Sequence, residues 1–161
     1  MILSMIAAVS ENNVIGKNNK LVWNLPTDFQ YYKNTVKDKT IIMGRKTAES
    51  PDFFFSQKRN LVVTRKDNFK KEGLEVFNSI ERAIETAKNE EEVFITGGSE
   101  IYKLALPLAK RLYITRVHAI LDGDAYFPEF DITKWQVMSE RFIKADDKNS
   151  HNFTFYIYEK V

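Results

Sequence analysis

An aspartate stands in the run Trp23-Asn24-Leu25-Pro26-Thr27-Asp28, where a loop gives way to an amphipathic helix. Behind a proline and beside apolar side chains, its carboxylate meets no basic residue before Lys33. Proline is tolerated at the first helical position, so a helix opening at Pro26 carries Asp28 in its first turn. Tyr31 and Tyr32 follow at i+3 and i+4, on the same side. An acid flanked by rings suits a flat heterocycle with an amidine-like edge, gripped through two parallel hydrogen bonds. Desolvation there raises the carboxyl pKa, a setting for holding or relaying protons near neutral pH. Thr115 is the candidate hydroxyl partner. The plainer alternative is a solvated acid favouring a helix N-terminus.

Three further segments have the chemistry of anion-binding strand ends. In Met43-Gly44-Arg45-Lys46-Thr47 a glycine turns the chain, and two cations and a hydroxyl open the next helix. In Thr96-Gly97-Gly98-Ser99-Glu100-Ile101-Tyr102 a strand runs into a helix, and paired glycines permit close backbone approach. That run is not Gly-x-Gly-x-x-Gly and does not follow the first strand, as a dinucleotide fingerprint does. Thr64-Arg65-Lys66 closes another strand. An acid there would suit a ribose 2′-hydroxyl; arginine suits a 2′-phosphate, so a strand end reaching the ribose predicts NADPH over NADH. Each segment taken alone also reads as a capped helix or an exposed basic turn. Together they favour a ligand, because ligands of open α/β sheets sit at the carboxyl ends of strands.

The elements that must position these residues are legible in the apolar pattern. Residues 2–9, 40–43, 60–64 and 92–96 read as strands buried on both faces. A helix over 26–37 carries Phe29, Tyr32 and Val36 on one face. Asn78 with Glu81 three later, then Ile80, Ala83, Ile84 and Ala87, predicts a second helix. A third starts near Ser99, with Ile101, Leu104, Ala105 and Leu108 apolar, and ends around Pro107. Residues 112–117 predict another strand, and 135–142 and 153–159 alternate as an antiparallel pair. The expected fold is α/β: a mostly parallel central sheet, an antiparallel C-terminal strand pair and helices on both faces. No repeat or linker divides residues 1–161, so one domain is expected, with 66–72 a charged turn.

Composition narrows the chemistry. The 161 residues are 43% hydrophobic and 29% charged, with a net charge of +2 that gives no support for nucleic-acid binding. The absence of cysteine excludes disulfides, thiol catalysis and cysteine-ligated zinc. His118 and His151 lie too far apart for metal-ligand spacing, so no metal is expected. The apolar start, residues 1–9, lacks a basic leader and is too short to span a membrane; a buried strand in a cytoplasmic protein is the expectation.

With these residues in place, the chain resembles the dihydrofolate reductase family along nearly its whole length. The resemblance rests on Ile6-Ala7-Ala8, Val14-Ile15-Gly16, Trp23-Asn24-Leu25-Pro26-x-Asp28, Ile42-Met43-Gly44-Arg45-Lys46-Thr47 and Gly97-Gly98-x-x-x-Tyr102. It continues through Leu112-Tyr113-Ile114-Thr115, Gly123-Asp124-x-x-Phe127-Pro128 and Asn149-Ser150-His151. It implies hydride transfer from NADPH to C6 of dihydrofolate and protonation of N5, yielding tetrahydrofolate for one-carbon metabolism. Asp28, Leu21, Trp23 and Thr115 would form the catalytic group, with Asp28 holding the pterin and a water carrying the proton. Ile6, Ala7, Phe29, Tyr32, Lys33, Phe55, Lys58, Arg59 and Thr96 would complete the substrate site. The cofactor would lie on Ala8, Ile15, Gly16 and Leu21, then on Gly44, Arg45, Lys46 and Thr47, and on Thr64, Arg65 and Lys66. Gly97, Gly98, Ser99, Glu100, Ile101 and Tyr102 would complete its site, with a cis peptide between the glycines. The segment from Gly16 to Trp23 would close over the nicotinamide. The resemblance further implies a monomer acting on small molecules, bound by diaminopyrimidine or pteridine antifolates, with neither nucleic acid nor membrane as partner.

The chain departs from the family pattern in several places. Val22 stands before the tryptophan where a proline is usual, Ala48 where an aromatic is common, and Thr96 where an apolar residue is more typical. Residues 50–60 lack the usual Gly- and Pro-rich loop ending in an arginine, whose place falls on Lys58 with Arg59 adjacent. That arginine forks onto the α-carboxylate of the substrate's glutamate tail, a planar pairing that lysine does not reproduce. Two rival readings are a riboflavin-pathway reductase, which lacks the Trp-x-x-Pro-x-Asp anchor, and a nucleotide- or RNA-binding module using Arg45, Lys46, Arg65 and Lys66.

Overall fold

The computed structural model describes residues 1–161. In chain order its strands are β1 (Ile2–Ser10), β2 (Val14–Gly16), β3 (Thr40–Gly44), β4 (Arg59–Val63), β5 (Glu75–Phe77), β6 (Glu92–Ile95), β7 (Arg111–Val117), β8 (Ala125–Tyr126), β9 (Trp135–Ile143) and β10 (Phe153–Lys160). The helices are α1 (Pro26–Val36), α2 (Arg45–Ala48), α3 (Ile80–Thr86) and α4 (Ser99–Ala105). Eight strands form one sheet in the order β5-β4-β3-β6-β1-β7-β10-β9, while β2 and β8 make a separate two-stranded ribbon. The strands from β5 to β7 all pair in parallel. Only β10 opposes them, lying antiparallel to both β7 and β9.

Side chains alternate across a strand, and β1 distributes the core accordingly. Leu3, Met5 and Val9 face α3 and α4, packing with Ile80, Ala83, Ile101, Tyr102 and Ala105. Ile6 points the other way, into a cluster with Ile41, Met43, Val62 and Phe94 of the sheet, Val36 of α1 and Ala48 of α2. The central strands are thus covered on both sides, which accounts for their unbroken apolar runs. A smaller cluster of Trp23, Leu25, Val117, Phe153 and Phe155 anchors the approach to α1 on the β7–β10 side. Burying each such side chain contributes roughly 1.5–3 kcal/mol.

The long elements fall where the apolar pattern puts them, and the differences lie in short pieces. α3 is capped by Ser79, whose side chain accepts from the Arg82 N–H, rather than by Asn78. α1 stops at Val36, and α4 gives way to a 3₁₀ turn at Leu106–Leu108. β2, β5, β8 and α2 have two to four residues each, too few to express a periodicity. No helix is long and apolar enough to cross a membrane.

Candidate active site

The start of α1 has no cap of its own: Leu25 offers no side-chain acceptor, and Pro26 occupies the first turn. A distant loop supplies what is missing. The Thr27 N–H donates to Asn149 Oδ1 at 3.2 Å, and Asn149 Nδ2 donates to Thr27 Oγ1 at 3.0 Å. Asp28 turns instead to β7, where the Thr115 hydroxyl donates to its Oδ1 at 2.7 Å. Thr115 sits centrally in the sheet, in register with Ala8 of β1 and Phe155 of β10.

Asp28 is part-exposed as a residue, with its open side toward the cavity, while protein atoms crowd its carboxyl group. That crowding pushes its pKa up to about 6, against the lowering effect of the Thr115 hydrogen bond. Tyr31 lines the same cavity and stacks on Phe155, with ring centroids 4.2 Å apart. The ammonium of Lys33 lies 4.9 Å from the Phe29 ring centroid. Burial thus raises the acid's proton affinity with no basic side chain to offset it.

Asp28 lies at the wall of a cavity of about 600 Å³, a volume suited to a small organic ligand. Ile6, Ala7 and Ala8 of β1 line it, as do Ile15 and Gly16 of β2 and Leu21 and Trp23 of the following segment. Phe29, Tyr32, Thr47, Thr96, Gly97, Gly98, Ser99, Tyr102 and Thr115 complete the set of expected residues that meet there. Tyr102 is fixed by a 2.6 Å hydrogen bond from its hydroxyl to the Ile6 carbonyl. Trp23 Nε1 is buried with no protein acceptor, the single such side-chain atom in the molecule. Its N–H is a donor for something that enters the cavity, since buried polar groups are nearly always bonded.

The second wall is the glycine edge. The Gly97–Gly98 peptide is cis, and Gly97 has φ of 120°. The Gly44 N–H donates to the Gly97 carbonyl at 2.8 Å, tying the end of β3 to that turn. A Cβ on Gly98 would lie 3.3 Å from Thr47 Oγ1, and one on Gly44 3.0 Å from Ile101 Cγ1. No side chain caps the first turn of α4. Bare backbone, a threonine hydroxyl and nearby cations form the donor set a dinucleotide diphosphate requires, so the residues fit a nicotinamide dinucleotide.

Other expected site residues fall outside the cavity. Arg45 pairs with Glu49 one turn along α2. Lys46, Thr64, Arg65 and Lys66 extend the same carboxyl edge of the sheet, because Gly44 and Val63 are register partners. Glu100 points to solvent, whereas Ile101 is buried in the core above Gly44. Phe55 packs edge-on to Phe53 at 5.0 Å and under Lys71 at 5.1 Å, so Phe53 and Phe54 line the cavity in its place. Lys33 rests on ring faces outside the lining.

Lys58 and Arg59 are the clearest corrections. Lys58 pairs with Glu90, while Arg59 forks onto Glu75 through Nε at 2.9 Å and Nη2 at 2.8 Å. Glu90 also accepts from Thr40, the first residue of β3. These groups therefore gather at the amino ends of the strands, away from the glycine edge. Sequence reading also missed Asn19, Lys20, Ser50 and Asp52 in the lining. The run Phe53-Phe54-Phe55 signalled an aromatic wall, but nothing in the local pattern marked Asp52.

A parallel sheet covered on both faces, with its cavity at the carboxyl strand ends, belongs to the enzymes that bring a nucleotide to a small flat substrate. This chain is of that class. The family model described as dihydrofolate reductase matches residues 2–160. The chain is 40% identical over 160 residues to the dihydrofolate reductase of Staphylococcus haemolyticus, covering 99% of this chain and 96% of that one. It is 41% identical over 155 residues to a type 3 dihydrofolate reductase of Salmonella typhimurium, covering 96% of each. The solved dihydrofolate reductase of Enterococcus faecalis, complexed with NADP(H) and RAB-propyl, superposes with a TM-score of 0.91 at 31% identity, covering 99% of this chain and 96% of that one. The chain belongs to the dihydrofolate reductase family, which sets aside the riboflavin-pathway reading.

Proposed function

We propose that Asp28 orients and charges the pterin ring in the NADPH-dependent reduction of 7,8-dihydrofolate to 5,6,7,8-tetrahydrofolate, the reaction of the family. The observation that carries this role is the 2.7 Å bond from Thr115 to a carboxylate that has no cation beside it and faces an apolar cavity. Two carboxylate oxygens match the N3 and 2-amino donors of a pterin, in the geometry of charge-assisted hydrogen bonds. At neutral pH a group with a pKa of about 6 is mostly ionised, and its charge favours the protonated substrate.

NADPH supplies the hydride when bound. Thr47, Gly97, Gly98, Ser99 and Tyr102 are the residues we assign to hold it, with Gly44, Arg45, Lys46, Thr64, Arg65 and Lys66 along the strand ends. Ala8, Ile15, Gly16 and Leu21 present an apolar wall to its ring. The Trp23 N–H, lacking a protein acceptor, is suited to hold the water that delivers a proton to N5. Leu21 and its neighbours exclude bulk water, which strengthens each electrostatic contact in the site.

We further infer a single-domain, cytoplasmic monomer whose partners are small molecules, antifolates among them. The neighbour's RAB-propyl complex supports the last point, and a net charge of +2 gives nucleic acid little purchase. The test is NADPH oxidation, followed by absorbance, with dihydrofolate and with and without a diaminopyrimidine inhibitor. Dihydrofolate-dependent, inhibitor-sensitive oxidation is the expected result; oxidation indifferent to dihydrofolate would overturn the proposal.

A further inference from the structure

The cavity extends from Asp28 past Phe29 and Tyr32 to an outer wall made by Ser50, Asp52, Phe53 and Phe54. Its one ionisable group there is a carboxylate, Asp52, exposed in the turn that follows α2. The cations that sequence reading would bring to this end are committed elsewhere. Lys58 is paired with Glu90, and the Arg59 guanidinium faces Glu75 at 2.9 and 2.8 Å, both at the amino ends of the strands. Two lysines remain, and neither carries a guanidinium: Lys20 lines the cavity in the segment before Leu21, and Lys33 is a single ammonium 4.9 Å from the Phe29 centroid and 6.0 Å from that of Phe54, outside the lining.

We infer that this enzyme reduces 7,8-dihydropterins lacking the glutamate tail nearly as well as it reduces dihydrofolate, and that Asp52 sets this tolerance. The inference rests on the reductase reading of the same cavity. Rings bind rings: Phe29, Tyr32, Phe53 and Phe54 recognise the aromatic part of the substrate by burial, and a tail-less dihydropterin with an aromatic substituent keeps that contact. A glutamate tail adds carboxylates that meet Asp52 and no guanidinium. Hydrogen bonds to charged groups are worth about 1.5–3 kcal/mol each, so a forked guanidinium would make tail deletion cost about a hundredfold or more. Without a fork, that loss disappears. The chemistry is unchanged: the N5=C6 double bond takes a hydride at C6 from NADPH, which leaves as NADP⁺, and a proton at N5 from solvent water.

The experiment measures kcat/KM of the full chain at saturating NADPH for dihydrofolate and for 7,8-dihydropteroate, which ends at the benzoate carboxylate. The two values are expected to agree within about tenfold, less than a single charge-assisted fork would impose; a loss of a hundredfold on removing the glutamate overturns the inference. KM for dihydrofolate is also expected not to rise as salt is added, because screening relieves repulsion from Asp52. A KM that climbs severalfold with salt would mean that a cation holds the tail. Asp52→Arg should lower KM for dihydrofolate by about fivefold, the upper range for an exposed pair. An unchanged KM for dihydrofolate in that variant removes Asp52 from the account. Turnover of dihydrofolate alone defeats only this inference, whereas turnover of neither substrate defeats the reductase reading with it.

Discussion

Asp28 has two properties that pull in opposite directions: it is set among apolar groups, which favour its neutral form, and in the proposed reaction it is the group offered to a cationic substrate. Asp28→Asn keeps the shape and the Thr115 contact but removes the charge, so turnover of dihydrofolate near neutral pH should fall by about 10²–10³, the range for a positioned acid or base. Activity of the variant should recover partly in acid, where the substrate arrives protonated; a pH–rate profile the same as the parent's would exclude the role. The same substitution makes a stability prediction of opposite sign. The folded state raises this pKa from 3.8 to about 6 and so binds the proton more tightly than the unfolded chain. The contribution is therefore complete below 3.8 and is lost as pH rises through about 6. In the cofactor-free protein at neutral pH, Asp28→Asn should accordingly gain stability on the order of 3 kcal/mol, as a two-unit shift implies. Urea titrations should show that gain vanishing below pH 3.8; a variant no more stable at neutral pH would refute the linkage.

At the scale of elements, the site is assembled from strand ends and the turns that leave them. Arg65 follows β4 on the same edge as Gly44, is exposed, and makes no ion pair. If it meets a 2′-phosphate, Arg65→Ala should weaken NADPH by about ten- to a hundredfold, the worth of one charge-assisted bond, and leave NADH nearly untouched. Fluorescence titration with each cofactor decides this; equal losses would place Arg65 outside the 2′-phosphate site. The β2–β8 ribbon is the second such element. A Cβ on Gly123 would lie 2.4 Å from Val14 Cγ1 and 2.7 Å from the Gly16 carbonyl, both parts of β2. Val14 is wholly buried and cannot yield. Gly123→Ala should therefore cost about 1–3 kcal/mol, as overpacking does, and lower kcat/KM, because displacing Gly16 moves the segment that carries Leu21 and Trp23. Unchanged thermal and kinetic values together would show that the ribbon has no part in positioning that segment.

Over the whole molecule, a row of ion pairs runs along the amino ends of the strands, at the end of the sheet opposite the cavity. Arg111, first in β7, binds Glu92 of β6 at 3.1 Å and Glu159 of β10 at 2.7 Å, while Ser4 of β1 donates to the same Glu92. The Lys58–Glu90 and Arg59–Glu75 pairs extend this along β3, β4 and β5. Arg111→Leu leaves Glu92, a largely buried carboxylate, without its guanidinium. It should lower Tm by roughly 4–8 °C, from about 2 kcal/mol at this chain length. Its kcat/KM should stay within twofold of the parent, since the cavity opens at the other end. A large fall in kcat/KM with Tm unchanged would reverse that division.

Asp28, the strand-end glycines and the long elements were determined by the sequence alone, because each is encoded locally: a proline-started helix, an apolar run closed by glycine, an alternation of period two. What only the tertiary structure decided is partnership across distance. The Thr115–Asp28 bond spans 87 positions and the Asn149 contact with Thr27 spans 122, separations over which no local pattern carries information. The same physics explains the misplaced cations. Lys58 and Arg59 stand beside the right loop in the chain, but parallel pairing brings Glu75 and Glu90 to the amino ends of neighbouring strands, and opposite charges there take both side chains before the cavity can.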